Sequence, residues 1–182
     1  MAILPIRTFG DPVLRQKARP VERVTEVHRR LVDDMIATMR EAPGVGLAGP
    51  QVGVVERVFV YEVDDDVGAI FNPVIVSRSR DLDEDDEGCL SLPGISFYPV
   101  TRHIQVRVEG VDEQGQAISK DADGFVARVL QHEIDHLDGV LFVDRLPEKL
   151  RRKAMRELTR QSLGLPREEG PLAPSLDPEE AL

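Results

Sequence analysis

The segment QHEIDHLDG, residues 131–139, places His132 and His136 four residues apart with Glu133 beside the first. On a helix, residues at i and i+4 lie one turn apart on the same face, so both imidazoles can reach one ion. A carboxylate next to the first ligand can take a proton from water at that ion without being a ligand itself. The pattern H-E-x-x-H therefore points to metal-assisted hydrolysis of an amide, with His132 and His136 as ligands and Glu133 as general base. His28 and His103 sit in no such pattern and are read as structural.

A catalytic ion needs three protein ligands and one open position. Cys89, the only cysteine, is the leading candidate for the third, because its setting EGCLSLPG follows an acidic run and is not an apolar helical stripe. A thiolate with two imidazoles suits zinc or ferrous iron by ligand softness, and spacing does not choose between them. The thiolate gives more charge to the ion than a carboxylate would, which makes the general base more important. Gln51, in the glycine-rich GVGLAGPQVG at 44–53, is an uncharged donor able to stabilise an oxyanion. Glycine-rich loops also cradle phosphates, make tight turns or admit a peptide. This one lacks the Lys-Ser/Thr of a P-loop and precedes a strand, which argues against a nucleotide.

These side chains need elements to hold them. Apolar spacing predicts a helix over 25–41, with Thr25 as N-cap and Pro43-Gly44 as the stop. A second helix is expected over 124–138, with Asp123 as N-cap and Gly139 as the stop, and a third over 147–161. Strands are expected at 57–63, 69–76, 103–111 and 116–120, the last two joined by a turn at 112–115. The glycine run 44–53 and the acidic run 81–87 both read as loops, the second solvated and without a part in the chemistry. Phe125, Arg128 and Val129 lie one and two turns before His132 on its face, where they line a pocket beside the ion. Phe125 and Val129 fit a plain core equally well. The hairpins imply an α+β fold: antiparallel sheets packed around a central helix carrying H-E-x-x-H, with an N-terminal and a C-terminal helix.

A chain of 182 residues supports one well-buried core, expected over 1–163, and the proline- and acid-rich stretch 164–182 reads as a disordered tail. No apolar run approaches the roughly 18 residues of a membrane span, and the N-terminus lacks the apolar stretch of a signal peptide. With a lone cysteine there is no internal disulfide, so a cytoplasmic protein is expected. The net charge of −10 argues against a general nucleic-acid binder, and no specific DNA partner is expected. Residues 145–160 nevertheless carry seven basic side chains against two acidic ones, read as a solvated helix face.

Taken in order, GVGLAGPQ at 44–51, EGCLS at 87–91 and QHEIDHLDG at 131–139 resemble the three motifs of the peptide deformylases. The resemblance extends over the N-terminal IRTFGDPVLRQKARPV and covers about residues 3–163. It implies that Cys89, His132 and His136 hold one divalent ion, natively Fe2+, with Zn2+, Ni2+ or Co2+ as ions the isolated protein can carry. The implied reaction removes the formyl group from the N-terminal methionine of nascent polypeptides and releases formate. Glu133 would act as base towards the attacking water and then protonate the leaving amine. The Gln51 side chain and the Leu90 backbone N–H would hold the oxyanion. The substrate backbone would lie extended along Val45, Gly46 and Gly88, and its methionine would enter the pocket of Phe125, Arg128 and Val129. The resemblance also implies that the basic helix 147–161 can dock on the ribosome. One departure is Gly49, where the family more often has alanine, and a glycine there is expected to loosen the loop that positions Gln51. Two other readings compete. A zinc endopeptidase would need a downstream Glu or His ligand, and no histidine follows His136. A non-catalytic metal-binding or ribosome-binding protein would not need Glu133 and Gln51.

Overall fold

The protein was analysed as a computed structural model, which describes residues 1–95 and 98–165. Strand β2 (Val58–Val63) is apolar on both faces, and alternate residues of a strand point to opposite sides. Val58 and Val60 share a core with Val32, Met35 and Met39 of helix α1 (Glu26–Glu41). Phe59, Tyr61 and Val63 share another with Ala127, Leu130 and Ile134 of helix α2 (Gly124–Leu137). The VFVYEV run thus puts one helix on each side of the sheet, and α2 is the one that carries the histidines.

The sheet has five strands in the order β1-β2-β3-β6-β7, all antiparallel: β1 (Gly46–Ala48), β3 (Asp66–Arg78), β6 (Gln105–Val111) and β7 (Ala117–Asp123) flank β2. A second sheet pairs β4 (Leu82–Glu87) with β5 (Tyr98–His103). Both β1 and β4 are edge strands. Helix α3 (Glu148–Ser162) buries Ala154 and Leu158 in a third core with Leu92, Tyr98, Phe142 and Val143.

Each predicted helix forms within about one residue of its expected bounds. Thr25 caps α1 through His28, whose Nδ1 accepts from the Thr25 N–H at 2.9 Å, which accounts for that histidine structurally. Asp123 stands at the N-cap of α2 but its side chain makes no cap bond, and Gly139 follows the helix at φ +74° as the stop requires. His103 is accounted for as well, its Nδ1 lying 2.9 Å from the Ser79 carbonyl.

Two loop readings need correction. The glycine run is not loop throughout: it contains β1 and a 3-10 turn over Gly49–Val52. The acidic run is strand β4, not a solvated loop. In both cases a distant partner decides, β2 for the first and β5 for the second, and that pairing outweighs the poor strand propensity of Gly, Asp and Glu. The strand expected at 103–111 divides at Ile104 into β5 and β6, which belong to different sheets. The reading of the tail falls, beyond Leu165, outside the described residues.

Candidate metal centre

Helix α2 projects His132 and His136 toward the turn that follows β4, where Cys89 lies. The potential ligand atoms of Cys89, His132 and His136 all fall within 4.8 Å of one another, with Cys89 Sγ 3.2 Å from His136 Nε2. Sequence spacing brought two of the three together; only the packing of β4 against α2 brings the third. His132 Nδ1–H donates to Glu87 Oε2 at 2.9 Å, which leaves Nε2 as the nitrogen for an ion.

The residues fit a cation. Burial tends to lower the His132 pKa, but its bonds to Cys89 and Glu87 and the nearby Glu133 hold it well above the usual range. These anionic surroundings, which favour a proton there, would equally favour a metal cation in the proton's place. Burial and the charges of His132 and Arg102 press His136 well below that range, so its imidazole is neutral, the form that ligates. At the site, two buried atoms, Glu133 Oε2 and His136 Nδ1, have no hydrogen-bond partner among the described residues. A buried polar atom left so costs about 1–3 kcal/mol, and an ion with its water would give the Glu133 oxygen one. One thiol and two imidazoles, with a carboxylate that is not part of the ligand group, is the donor set of an open catalytic site.

Glu133 is 3% exposed. Burial first, then the Glu87 and Asp135 carboxylates, push its pKa up to about 7 against the pull of His132 and Arg102. A carboxyl poised there can both take and give a proton near neutrality. Backbone comes close to it: a Cβ on Gly46 would stand 2.3 Å from Glu133 Oε1, so a glycine lets β1 approach this closely.

Gln51 is fully buried. Its Oε1 accepts from the Ala48 N–H at 2.8 Å, which turns Nε2 toward Ser91 Oγ at 3.2 Å and Cys89 Sγ at 3.7 Å. The amide donor therefore faces the metal centre. The space around Gly49, where a looser turn is expected, is tight. An added Cβ would meet the carbonyl oxygens of Val54 and Glu56 at 2.7 and 2.9 Å, so the glycine permits a tight, buried turn that alanine would force apart.

A cavity of about 330 Å³ opens over these groups. Val45 and Gly46 form one wall and Glu87, Gly88 and Leu90 the other, with Phe125, Val129, His132 and Glu133 of α2 between them. The edge strands β1 and β4 thus flank it. Phe125 stands at the mouth, 52% exposed, whereas Val129 is buried in the core beneath the sheet. Arg128 lines the cavity too, but its guanidinium is taken by Glu87 (3.0 Å), the Val100 carbonyl (2.7 Å) and the backbone and side chain of Asp83. Larger hollows lie along strands β3, β6 and β7 (about 590 Å³), along α3 (about 700 Å³) and beside Asp135 (about 460 Å³), and none is lined by any of the three ligand candidates.

Glu87 was missed by reading the acidic run as a solvated loop outside the chemistry. Of the six acids in that run it is the buried one, held between Arg102 and Arg128 and bonded to His132. Burial works the other way, but Arg102 and His132 hold its pKa far below the usual carboxylate range. Strand phase would have set Glu87 on one face with Asp83 and Asp85, but nothing in the local sequence tells which of them is covered.

The α+β fold, with an H-E-x-x-H helix set against a cysteine and a glycine-lined cleft, defines a metal-dependent hydrolase. The polypeptide deformylase family matches this chain over residues 3–152. The peptide deformylase of Acidothermus cellulolyticus is 51% identical over 158 residues, covering 87% of each chain. The solved peptide deformylase of Thermus thermophilus superposes with a TM-score of 0.81 at 48% identity, covering 88% of this chain and 94% of that one. A class I type b peptide deformylase from Acinetobacter baumannii, solved with Met-Ala-Ser bound, gives a TM-score of 0.77 at 35% identity, covering 80% and 99%. The chain belongs to the peptide deformylase family, hydrolases that remove the formyl group from the N-terminus of newly made polypeptides.

Proposed function

We propose that Cys89, His132 and His136 hold one divalent ion, Fe2+ natively, and that residues 1–163 form a single catalytic domain around it. The observation that carries this reading is the meeting of those three ligand atoms beside a cleft that Cys89, His132 and Glu133, with its unpartnered oxygen, line. When bound, such an ion supplies the Lewis acidity that makes water nucleophilic near neutral pH. Glu133 takes the proton of the attacking water, and the water oxygen bonds to the formyl carbon. As the carbonyl oxygen gains charge, Gln51 Nε2 and the Leu90 N–H donate to it. Glu133 then delivers its proton to the amide nitrogen, the C–N bond breaks, and formate and a free methionine amine leave.

Free edges on both sides of the cleft suit an extended peptide, which can bond to Val45 and Gly46 on one side and Gly88 on the other. The methionine side chain then enters between Phe125 and Val129, with Arg128 acting from behind by holding the wall. The Met-Ala-Ser found on the Acinetobacter relative is the size of ligand this cleft would take.

The test is formate release from formyl-Met-Ala-Ser by protein prepared anaerobically and loaded in turn with Fe2+, Ni2+, Co2+ and Zn2+. Release from the formylated peptide alone, fastest with Fe2+, is the expected result. Cleavage confined to internal peptide bonds would overturn it in favour of an endopeptidase.

No described helix is long and apolar enough to cross a membrane, and a cytoplasmic location belongs to the same reading, since nascent chains are the substrate. Helix α3 supports ribosome docking: Arg151, Arg152, Arg156 and Arg160 gather on it around Met155. Pelleting with ribosomes that weakens steeply with salt is the expected behaviour. Absence of pelleting at low salt would return the helix to a solvated face.

A further inference from the structure

Behind His132 runs a line of charged side chains that the reaction above does not use. Asp135, 7% exposed and three residues after His132 on α2, does not face the peptide cleft. It lines a separate polar cleft of about 460 Å³ with Arg102 and Arg145. Asp135 Oδ2 accepts from Arg102 Nη1 at 2.6 Å and from Arg145 Nε at 3.0 Å, and Oδ1 accepts from Arg145 Nη2 at 2.5 Å. Arg102, on β5, turns its Nε and Nη2 onto the two oxygens of Glu87 at 2.8 and 2.9 Å. Since Glu87 accepts from His132, the contacts are continuous from Arg145, half-exposed, through Asp135, Arg102 and Glu87 to the imidazole.

We propose that Asp135 is a positioning residue for the metal centre, acting on His132 through Arg102 and Glu87. A forked guanidinium–carboxylate pair has a fixed relative orientation, so the tilt of Arg102 sets the tilt of Glu87. Arg102 is 5% exposed and directs a different nitrogen to each acid; without Asp135 its Nη1 is left buried and unpaired. Glu87 is already shared with Arg128, so it cannot also replace the lost carboxylate and keep its place on His132. The outer partner of a ligating histidine fixes the ring's direction and strengthens it as a ligand. Asp138, paired with Arg57 at 2.8 Å near the end of the same helix, is 43% exposed and bonds to none of these groups. It provides the control.

This inference rests on the metal reading, and the experiment separates the two. The wild-type protein, Asp135→Asn, Arg145→Ala and Asp138→Asn are loaded with Co2+. The visible spectrum, the rate of Co2+ release to a chelator, the Tm and the steady-state constants for formyl-Met-Ala-Ser are then measured for each. Asp135→Asn is expected to shift the cobalt bands, to release the ion roughly 10-fold faster and to lower kcat while KM is held. Arg145→Ala should move the same readings in the same direction by about 2- to 3-fold, because it reaches His132 only through Asp135. Asp138→Asn should match wild type. A wild-type protein that holds no cobalt would defeat the metal reading itself. If wild type holds cobalt and Asp135→Asn has the same spectrum and release rate, whatever its Tm, the positioning role is wrong. Should Asp135→Asn fail to fold, an unchanged spectrum and release rate in Arg145→Ala overturn the proposal instead.

Discussion

Glu133 shows how one residue's surroundings set its chemistry. It is buried, raised to about 7, and unpartnered at one oxygen, which is a costly arrangement unless it has a proton to move. Glu133→Ala should therefore leave a bound metal in place and lower kcat by about 10²-fold or more; metal content by elemental analysis beside formate release tests this, and an undiminished rate would reject the role. Gln51→Ala removes a donor aimed at the same spot, and a loss of about 10²-fold in kcat with the metal retained is expected. Gly46→Ala tests close approach. Its Cβ would collide with the Glu133 carboxylate, so turnover should fall while the circular dichroism spectrum stays native. Full activity in that variant would mean that Glu133 can work from another rotamer.

At the scale of elements, the cleft is built where two edge strands from different sheets face each other across α2. Strand β1 is only three residues long, and the 3-10 turn after it carries Gln51, so the placement of that amide depends on the fit of Gly49. Restoring the alanine more common in the family, Gly49→Ala, should destabilise this protein by about 1–3 kcal/mol, because backbone oxygens, and not flexible side-chain ends, stand in the way. Thermal unfolding measures it. A stabilised variant would show that the Val54–Glu56 segment yields easily, and that the glycine has no packing reason. Strand β4 has a different logic: its exposed acids face water, and its last residue, Glu87, turns inward to His132.

For the molecule as a whole, Asp144 ties distant segments together. It accepts from Arg15 of a 3-10 turn over Pro12–Arg15, from the Leu141 N–H and from Arg151 of α3. Burial alone would raise its pKa, but these bonds and charges outweigh burial and lower it below 3.8. With the folded pKa depressed, the stabilisation is fully present above 3.8 and is lost as pH falls through the folded value. The Tm gap between wild type and Asp144→Asn should thus be open at about pH 7, begin to narrow near the unfolded pKa and close once pH has fallen through the folded pKa. A gap that stays constant with pH would show that the carboxylate's charge is not what holds these segments.

The sequence by itself determined the chemistry that is local in the chain. His132, Glu133 and His136 are brought together by helical period alone, and the three long helices follow from apolar spacing and their stops. Cys89 and Gln51 stood out by their local settings, and the motif order, matched to a known family, implied their roles. Tertiary structure decided what depends on partners far away in the chain. It made strands of the glycine-rich and acidic runs, because each pairs with a neighbour that propensity cannot foresee. It selected Glu87 from six similar acids, because only packing against Arg102, Arg128 and His132 distinguishes a buried carboxylate from an exposed one. It also tied the guanidinium of Arg128, which lines the pocket, to Glu87, Val100 and Asp83, and placed Asp135 and Arg102 behind the ligand helix. Helical spacing is a short-range property and can be read from order in the chain. The direction of a guanidinium fork is set by what surrounds it in space.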